Sequence, residues 1–226
     1  MSLISFFNIG WRRWRDHGIL ALFTLIACDP QRPEMLGVSV TIVSPAVTPY
    51  PNLENVLAAV AIGMLAGCRT SHMREAVRNF KAVEHRLEFV ATVAGVDYYN
   101  DSKATNVDAT IKALESFPAN VHLILGGKDK GSDYSVLNDL LRQRVKCVYT
   151  IGAAAAKIES QIAGATEIVS SQTLDNAVRQ ASQSAAPDDV VLLAPACSSF
   201  DQFQNYEHRG RVFKEAVMTL KRRANC

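Results

Sequence analysis

No Cys-x-x-Cys pair occurs in this chain, and its five cysteines stand apart at positions 28, 68, 147, 197 and 226. A scattered, odd set excludes a zinc knuckle and supplies no disulfide framework, so the chain reads as reduced and cytoplasmic. Cys197 reads as a small apolar residue at a strand end rather than a nucleophile. Absent too is any G-x-x-x-x-G-K-[ST] run, and no G-x-G-x-x-G follows a strand and precedes a helix. Neither a P-loop nor a dinucleotide fingerprint is therefore present. Charge of one sign is lacking: 24 basic residues face 22 acidic ones. A balance this even offers no field for nucleic acid or an anionic membrane. The local clusters at Arg12, Arg13 and Arg15 and at Lys221–Arg223 read as solvated ends.

Long hydrophobic runs are missing as well. The apolar stretch Ile19–Cys28 falls short of the roughly 20 residues that a bilayer span needs, so stable membrane insertion is not expected. Basic residues followed by this short run resemble a secretory leader, and export through residues 11–28 stands as the minor alternative. Three arginines and two tryptophans at that place are unusual for a leader, and the rest of the chain has a cytoplasmic character. Residues 1–50 hold both tryptophans and four of the eight prolines, which sets them apart as an unplaced segment. Within them "SPAVTPYP" (44–51) reads as an extended linker.

From Asn52 onwards the pattern is regular. Leu53, Val56, Leu57, Val60 and Met64 recur at helical spacing, and Gly67 is placed to end that helix. Ser71 is positioned to cap a second helix, with Met73, Ala76, Val77 and Phe80 predicted on its buried face. Leu87–Val93 and Val96–Tyr99 flank Ala94-Gly95 as a hairpin. A helix over Val107–Ser116 follows, then strands at 121–127, 145–152, 166–169 and 189–196. Helices are predicted around Tyr134–Arg142, Ala154–Ala163, Leu174–Ser184 and Phe203–Lys221. Near-continuous apolar strands alternating with amphipathic helices predict an α/β fold: a Rossmann-like, mostly parallel sheet with helices on both faces.

In such sheets ligands gather beyond the carboxyl ends of the strands. Three polar loops leave strands there. "NDSKATN" (100–106) carries a charge of each sign and leads into a helix. "GGKDKG" (126–131) turns tightly and offers N–H groups and lysines to an anion. "CSSFDQ" (197–202) brings two hydroxyls. Each has a plainer reading: an exposed Asp101–Lys103 pair, a glycine turn with solvated lysines, an N-cap serine, and Arg86 pairing with Glu88. Together they assemble Arg86, Lys103 and Lys130 as cations, Thr105 and Ser199 as hydroxyls and Asp101 as a carboxylate. That set suits a phosphorylated nucleotide and a small dicarboxylate.

The wording of five motifs carries a family resemblance. "NLENVLAA", "FKAVEHRLEFV", "YYNDSKATNVDAT", "LILGGKDKG" and "LLAPACSSFDQFQNYEHRGRVF" resemble the Mur ligases, in the branch that receives D-glutamate. The resemblance runs from about Asn52 to Leu220, with the motifs in the family's order. It implies a helical tail of a central ATPase domain over 51–83 and a C-terminal Rossmann-like, D-glutamate-binding domain over 84–222. By resemblance the substrates are ATP, UDP-N-acetylmuramoyl-L-alanine and D-glutamate, with Mg2+ whose ligands are not in this chain. The implied reaction phosphorylates the UDP-N-acetylmuramoyl-L-alanine carboxylate to an acyl phosphate, which the D-glutamate amine then attacks. Asn55 would contact adenine, and Arg86, Asp101 and Lys103 would surround the ribose and phosphates, Lys103 in the catalytic role. Thr105, Lys130 and Ser199 would hold the D-glutamate carboxylates, with Phe200 and Tyr206 lining the pocket. Pro51 stands where the family carries a histidine, and residues 1–50 match no part of the family. The phosphate loop and UDP-gripping domain are missing, so the chain is expected to be inactive alone and to need the missing ligase domains. A stand-alone nucleotide- or acidic-amino-acid-binding module without catalysis is the alternative.

Overall fold

The computed structural model describes the backbone of residues 5–14, 18–29, 32–42, 51–79 and 83–224, and side chains at 56, 58–79 and 83–224. It divides into two units, Met1–Lys81 and Ala82–Cys226.

The first unit has three antiparallel strands, β1 (Ser5–Trp14), β2 (Gly18–Asp29) and β3 (Arg32–Ile42), in the order β1-β2-β3. No element was predicted over residues 1–50 from sequence. The run Ile19–Cys28 falls inside β2, and its Ile, Leu, Phe and Thr content favours extended backbone. Most of the predicted linker over 44–51 lies outside the described residues. Helix α1 spans Pro51–Leu65, and Gly67 at φ +76° ends it as expected. The second predicted helix is α2 (Thr70–Asn79), and it differs from its prediction in two respects. Ser71 lies inside the helix, because Thr70 already has helical backbone. None of its described residues is buried: Met73 and Val77 are half-exposed and Ala76 is exposed, while Phe80 lies outside the described residues.

The second unit is built on a six-stranded sheet of order β4-β5-β9-β6-β7-β8. Strands β4 (Glu88–Val93) and β5 (Val96–Asn100) form the predicted hairpin through Ala94 and Gly95, both at positive φ. Every other pairing is parallel: β5 with β9 (Val190–Leu193), β9 with β6 (Val121–Gly126), β6 with β7 (Val145–Ile151) and β7 with β8 (Glu167–Gln172). The "VHLILG" run is buried at all six positions, as a central strand covered on both faces must be.

Alternation along the strands divides the apolar side chains between two cores. Leu123, Leu125 and Leu192 point to one face, covered by α3 (Val107–Glu115), α4 (Asn138–Arg144) and α5 (Ala155–Ile162) through Leu114, Leu141 and Ile158. Ile124, Val191 and Leu193 point to the other, covered by α6 (Leu174–Ser184) and α7 (Tyr206–Ala224) through Val178, Phe213 and Val217. Each such fully buried side chain contributes about 1.5–3 kcal/mol, so the two cores dominate the stability of this unit. Side chains also close the helix ends. Asn106 Oδ1 caps α3 by accepting the Ala109 N–H at 2.8 Å, and Arg144 donates to the carbonyls of Leu114, Glu115 and Phe117 at its far end.

Topology then places the switch point at which sheets of this kind form a crevice. The chain leaves β5 and β6 for helices on the first face but leaves β9, which lies between them, for α7 on the second. Neighbouring strands whose continuations diverge open a gap at their carboxyl ends. The predicted boundaries shift slightly here. The last helix starts at Tyr206 rather than Phe203, β8 runs on to Gln172, and the final strand narrows to Val190–Leu193.

Candidate functional site

The three loops predicted to converge do so, because their strands β5, β9 and β6 are neighbours. The Asp101 N–H donates to Leu193 O at 2.8 Å, and the Ala196 N–H to Ala104 O at 2.9 Å, joining the first loop to the third. The second and third loops exchange a pair of bonds: Lys128 N–H to Ser198 O at 2.8 Å and Ser198 N–H to Lys128 O at 3.2 Å. Gly127 makes that approach achievable. At φ +136° a Cβ there would meet Ser198 O at 2.4 Å, so no other residue fits.

A residue that the sequence analysis passed over ties the first and third loops together and packs against the second. Arg209, in the first turns of α7, is fully buried. Its Nε donates to Ser102 Oγ at 3.0 Å, Nη2 to Ser102 O at 2.8 Å, and Nη1 to Cys197 O at 3.1 Å. A Cβ on Gly127 would come within 3.2 Å of Nη1. Burial lowers the guanidinium to about 10, which still leaves it charged at neutral pH. Its neighbour Gly210 was the available signal. Glycine inside a helix costs about 1 kcal/mol against alanine and implies a packing reason. Here a Cβ would lie 2.2 Å from His85 Nδ1.

His85 is itself buried, with Asn100 Nδ2 at 2.9 Å from Nδ1. Glu88 Oε2 accepts from Asn100 Nδ2 and from the His85 N–H, both at 3.0 Å. Glu88 Oε1 takes Lys214 Nζ at 3.0 Å, and Glu84 takes the same ammonium at 2.6 Å. Arg86 is therefore not the partner of Glu88, which Lys214 satisfies, and it is exposed at the head of β4. Ligand atoms of Glu84, His85 and Glu88 lie within 4.8 Å of one another, the single such cluster among the described residues. With Lys214 bonded to both carboxylates, this donor set does not fit a divalent cation.

Of the predicted site residues, those in the second unit lie on the three loops or on the elements that flank them. Asp101 is buried, and its Oδ1 accepts the Leu87 N–H at 3.3 Å. Burial pushes its carboxyl up to about 6, opposed by that N–H and by Arg86. It does not pair with Lys103. That lysine is exposed and turns to Tyr206, with Nζ 3.2 Å from the phenol oxygen and 4.5 Å from the ring centroid. Tyr206 opens α7 and accepts Ser102 Oγ on its carbonyl at 2.7 Å. Thr105 is half-buried beside Lys103, whose carbonyl accepts its N–H at 2.8 Å. Ser199 is buried, its carbonyl accepting the Gln202 and Phe203 N–H groups, and Phe200 is 67% exposed. Lys128 and Lys130 are exposed, and no hydrogen bond or ion pair among the described residues engages either ammonium. Asn55 belongs to α1 in the first unit, and its side chain lies outside the described residues.

Cys197 behaves as predicted. It is buried, its Sγ lies 2.9 Å from the Tyr134 hydroxyl, and burial raises the thiol, which disfavours the reactive thiolate. Asp201 tethers the third loop, its Oδ2 accepting the Ala153 N–H at 2.9 Å where the chain enters α5. No helix among the described residues is long and apolar enough to cross a membrane.

Chemically, this edge of the sheet offers the exposed cations Arg86, Lys103, Lys128 and Lys130, a buried carboxylate and a hydroxyl-bearing loop. Comparison with known proteins gives the family. The family pattern described as Mur ligase, glutamate ligase domain, matches residues 85–197. The UDP-N-acetylmuramoylalanine--D-glutamate ligase of Koribacter versatilis is 71% identical over 169 residues, covering 75% of this chain and 37% of that protein. The ligase of the same description from Acidobacterium capsulatum is 62% identical, covering 74% and 36%. The chain thus spans a little over a third of the length of these relatives. Among solved structures, the MurF ligase of Thermotoga maritima in complex with ADP gives a TM-score of 0.65 at 15% identity, covering 93% of this chain and 46% of that one. UDP-N-acetylmuramate-alanine ligase MurC from the same organism gives 0.61 at 14%, covering 90% and 44%. At such identities these two show the fold alone.

Proposed function

Because the chain belongs to the Mur ligase family, through its glutamate ligase domain, we propose that it is the acceptor-binding part of an ATP-dependent, cytoplasmic ligase that adds D-glutamate to UDP-N-acetylmuramoyl-L-alanine. On this reading residues 84–222 receive D-glutamate, and 51–83 are the tail of the central ATPase domain.

One observation carries the reading: Lys103, assigned to the nucleotide phosphates, touches Tyr206, assigned to the amino-acid pocket, at 3.2 Å. Two subsites that must meet at a single reacting centre share a contact. Arg86, Asp101 and Lys103 then belong to the ATP side, and by family resemblance Asn55, in the first unit, would contact the adenine. Asp101 Oδ2, which no described residue engages, is free to accept from a ribose hydroxyl. On the other side Thr105, Lys130 and Ser199 take the D-glutamate carboxylates, and the exposed Phe200 and Tyr206 wall the pocket. Charge-assisted bonds of this kind supply both affinity and orientation.

The chemistry follows in two displacements. The UDP-N-acetylmuramoyl-L-alanine carboxylate attacks the γ-phosphorus of ATP, the bond to the bridging oxygen breaks, and ADP leaves. The D-glutamate nitrogen, having lost a proton, then attacks the acyl carbon and inorganic phosphate departs. Lys103 offsets charge on the phosphoryl oxygens in the first step, and the lysine and hydroxyl set holds the amine in line for the second. Mg2+ bound with ATP would offset further phosphate charge. The Glu84–His85–Glu88 cluster is not its site, since Lys214 satisfies both carboxylates.

The test is a chimaera in which residues 52–220 replace the matching span of the Koribacter versatilis ligase. Phosphate release with ATP, magnesium and UDP-N-acetylmuramoyl-L-alanine should depend on D-glutamate and fall by orders of magnitude with Lys103→Ala. Turnover equal with L-glutamate, or none in a folded chimaera, would overturn the reading. The 226-residue chain alone should show no turnover.

A further inference from the structure

The glycine loop "GGKDKG" carries a carboxylate that the reading above leaves unused. Asp129 stands between Lys128 and Lys130, where a free acid would cancel part of the charge that an anion needs. It is not free. Its Oδ2 accepts from Lys157 Nζ of α5 at 2.7 Å, and its Oδ1 from the Tyr134 hydroxyl at 2.8 Å and the Ser132 N–H at 3.1 Å. The Lys157 hydrogen bond is the main reason that this carboxyl sits far below the usual carboxylate range.

The contacts run further. Tyr134 is fully buried, and its hydroxyl also meets Cys197 Sγ at 2.9 Å, in the loop after β9. Lys157 Nζ lies 5.5 Å from the Tyr134 ring centroid. Lys157, Asp129, Tyr134 and Cys197 thus link α5 through the glycine loop to the loop that carries Ser199. The outcome is asymmetric: of four charged side chains, Lys157 and Asp129 neutralise each other, while Lys128 and Lys130 keep ammonium groups that no described residue engages. The pair is also part-exposed, at 37% and 26% of the two side chains, so it adds little to global stability. Its consequence is local.

We propose that Lys157 and Asp129 are positioning residues for anion capture: Lys157 sequesters the Asp129 carboxylate, which pins the glycine loop and leaves Lys130 unpaired for a carboxylate of the incoming amino acid. The proposal rests on the reading that Lys130 meets that carboxylate. No covalent step is involved.

The experiment uses the full chain. D-glutamate is titrated and followed by amide chemical shifts, and hydrogen exchange is recorded over 128–132. Lys157→Met should weaken D-glutamate binding about tenfold, the size of one charge-assisted contact, with Tm moving by only about 2 °C. Lys157→Arg should restore the affinity. In an Asp129→Asn background, Lys157→Met should change it less than about twofold, because no charge remains to sequester. Exchange over 128–132 should rise in Lys157→Met and in Asp129→Asn. Unchanged exchange in both, or an equal loss of affinity with and without Asp129, overturns the proposal. Failure of the underlying reading looks different: D-glutamate then binds Lys130→Ala as well as it binds the wild-type chain, or binds neither. In that event the exchange data still decide whether the pair pins the loop.

Discussion

Two polar clusters lie at opposite ends of the parallel strands, and they are built on opposite plans. At the amino end, His122 Nε2 meets Asp189 Oδ2 at 3.2 Å and its Nδ1 meets the Tyr149 hydroxyl at 3.1 Å. Asp189 also takes Lys146 Nζ at 2.6 Å and the Ala186 N–H at 2.9 Å. That cluster is closed, with each charge answered by a neighbour. At the carboxyl end Arg209 is answered only by neutral oxygens, Asp101 by one N–H, and Lys128 and Lys130 by no described residue. Closed networks hold a fold together, whereas open ones leave hydrogen-bonding capacity for a ligand.

The two aspartates make the difference measurable, because they titrate in opposite directions. At Asp189 burial works to raise the carboxyl, but the bonds from Lys146, Ala186 and His122 outweigh it and hold it below its ordinary value. At Asp101 burial prevails and the carboxyl rises to about 6. A depressed carboxyl stabilises the fold above its unfolded pKa and loses that contribution as pH falls. A raised one binds more protons when folded, so its contribution is present in acid and disappears as pH rises toward 6.

The largest expected effect is at the open end. Arg209→Met removes three hydrogen bonds from a fully buried guanidinium and strands the Ser102 and Cys197 acceptors. Unfolding in urea should show a loss of about 3–5 kcal/mol. A loss under about 1 kcal/mol would mean that Arg209 does not join the loops. Next, Asp189→Ala should cost about 3 kcal/mol at pH 7, since it leaves a buried histidine and an ammonium unanswered. The wild type's advantage over this variant should shrink as pH falls below 4; an advantage that persists there would show that the cluster is not electrostatically closed.

Asp101→Asn should do the reverse and stabilise the chain at pH 7. The rise from 3.8 to about 6 corresponds to roughly 3 kcal/mol, and about 2 should be recovered because an amide does not reproduce every contact of a neutral carboxyl. The gain should fade between pH 6 and pH 4, where Asp101 becomes protonated anyway, and thermal melts across that window read it directly. A gain independent of pH would indicate packing rather than charge. Smallest is Phe200→Ala. At 67% exposure its stability change should stay within about 0.5 kcal/mol, while D-glutamate binding weakens. A large loss of stability there would mean that Phe200 is a core residue and would blur the contrast.

Much of this was legible in the sequence. Continuous apolar strands and amphipathic helices have unambiguous periods, so the parallel sheet, its hairpin and the helix Leu174–Ser184 were readable. The convergence of the three polar loops was legible because strand ends in such a fold share an edge. Ser71 misled because a polar residue before an apolar one fits a cap and a first turn equally well. Arg209 was hard to read for a related reason: "YEHRG" reads as a solvated helix start, and although Gly210 signals close packing, nothing local marks which of the charged residues beside it turns inward.

The chain's own pattern therefore determined the α/β class, the order of its elements and the edge at which its polar loops meet, since those follow from local periodicity and connectivity. Only the tertiary structure decided which charges are spent inside the protein and which remain for a ligand. Arg86 was free to pair with Glu88 on sequence spacing, yet Lys214, 126 residues away in the chain, took that carboxylate. Asp101 and Lys103 looked like a pair, yet one is buried against a backbone N–H and the other lies over Tyr206. Ion pairing depends on distances of a few ångströms between groups far apart in sequence, and packing the sheet and its helices is what sets those distances.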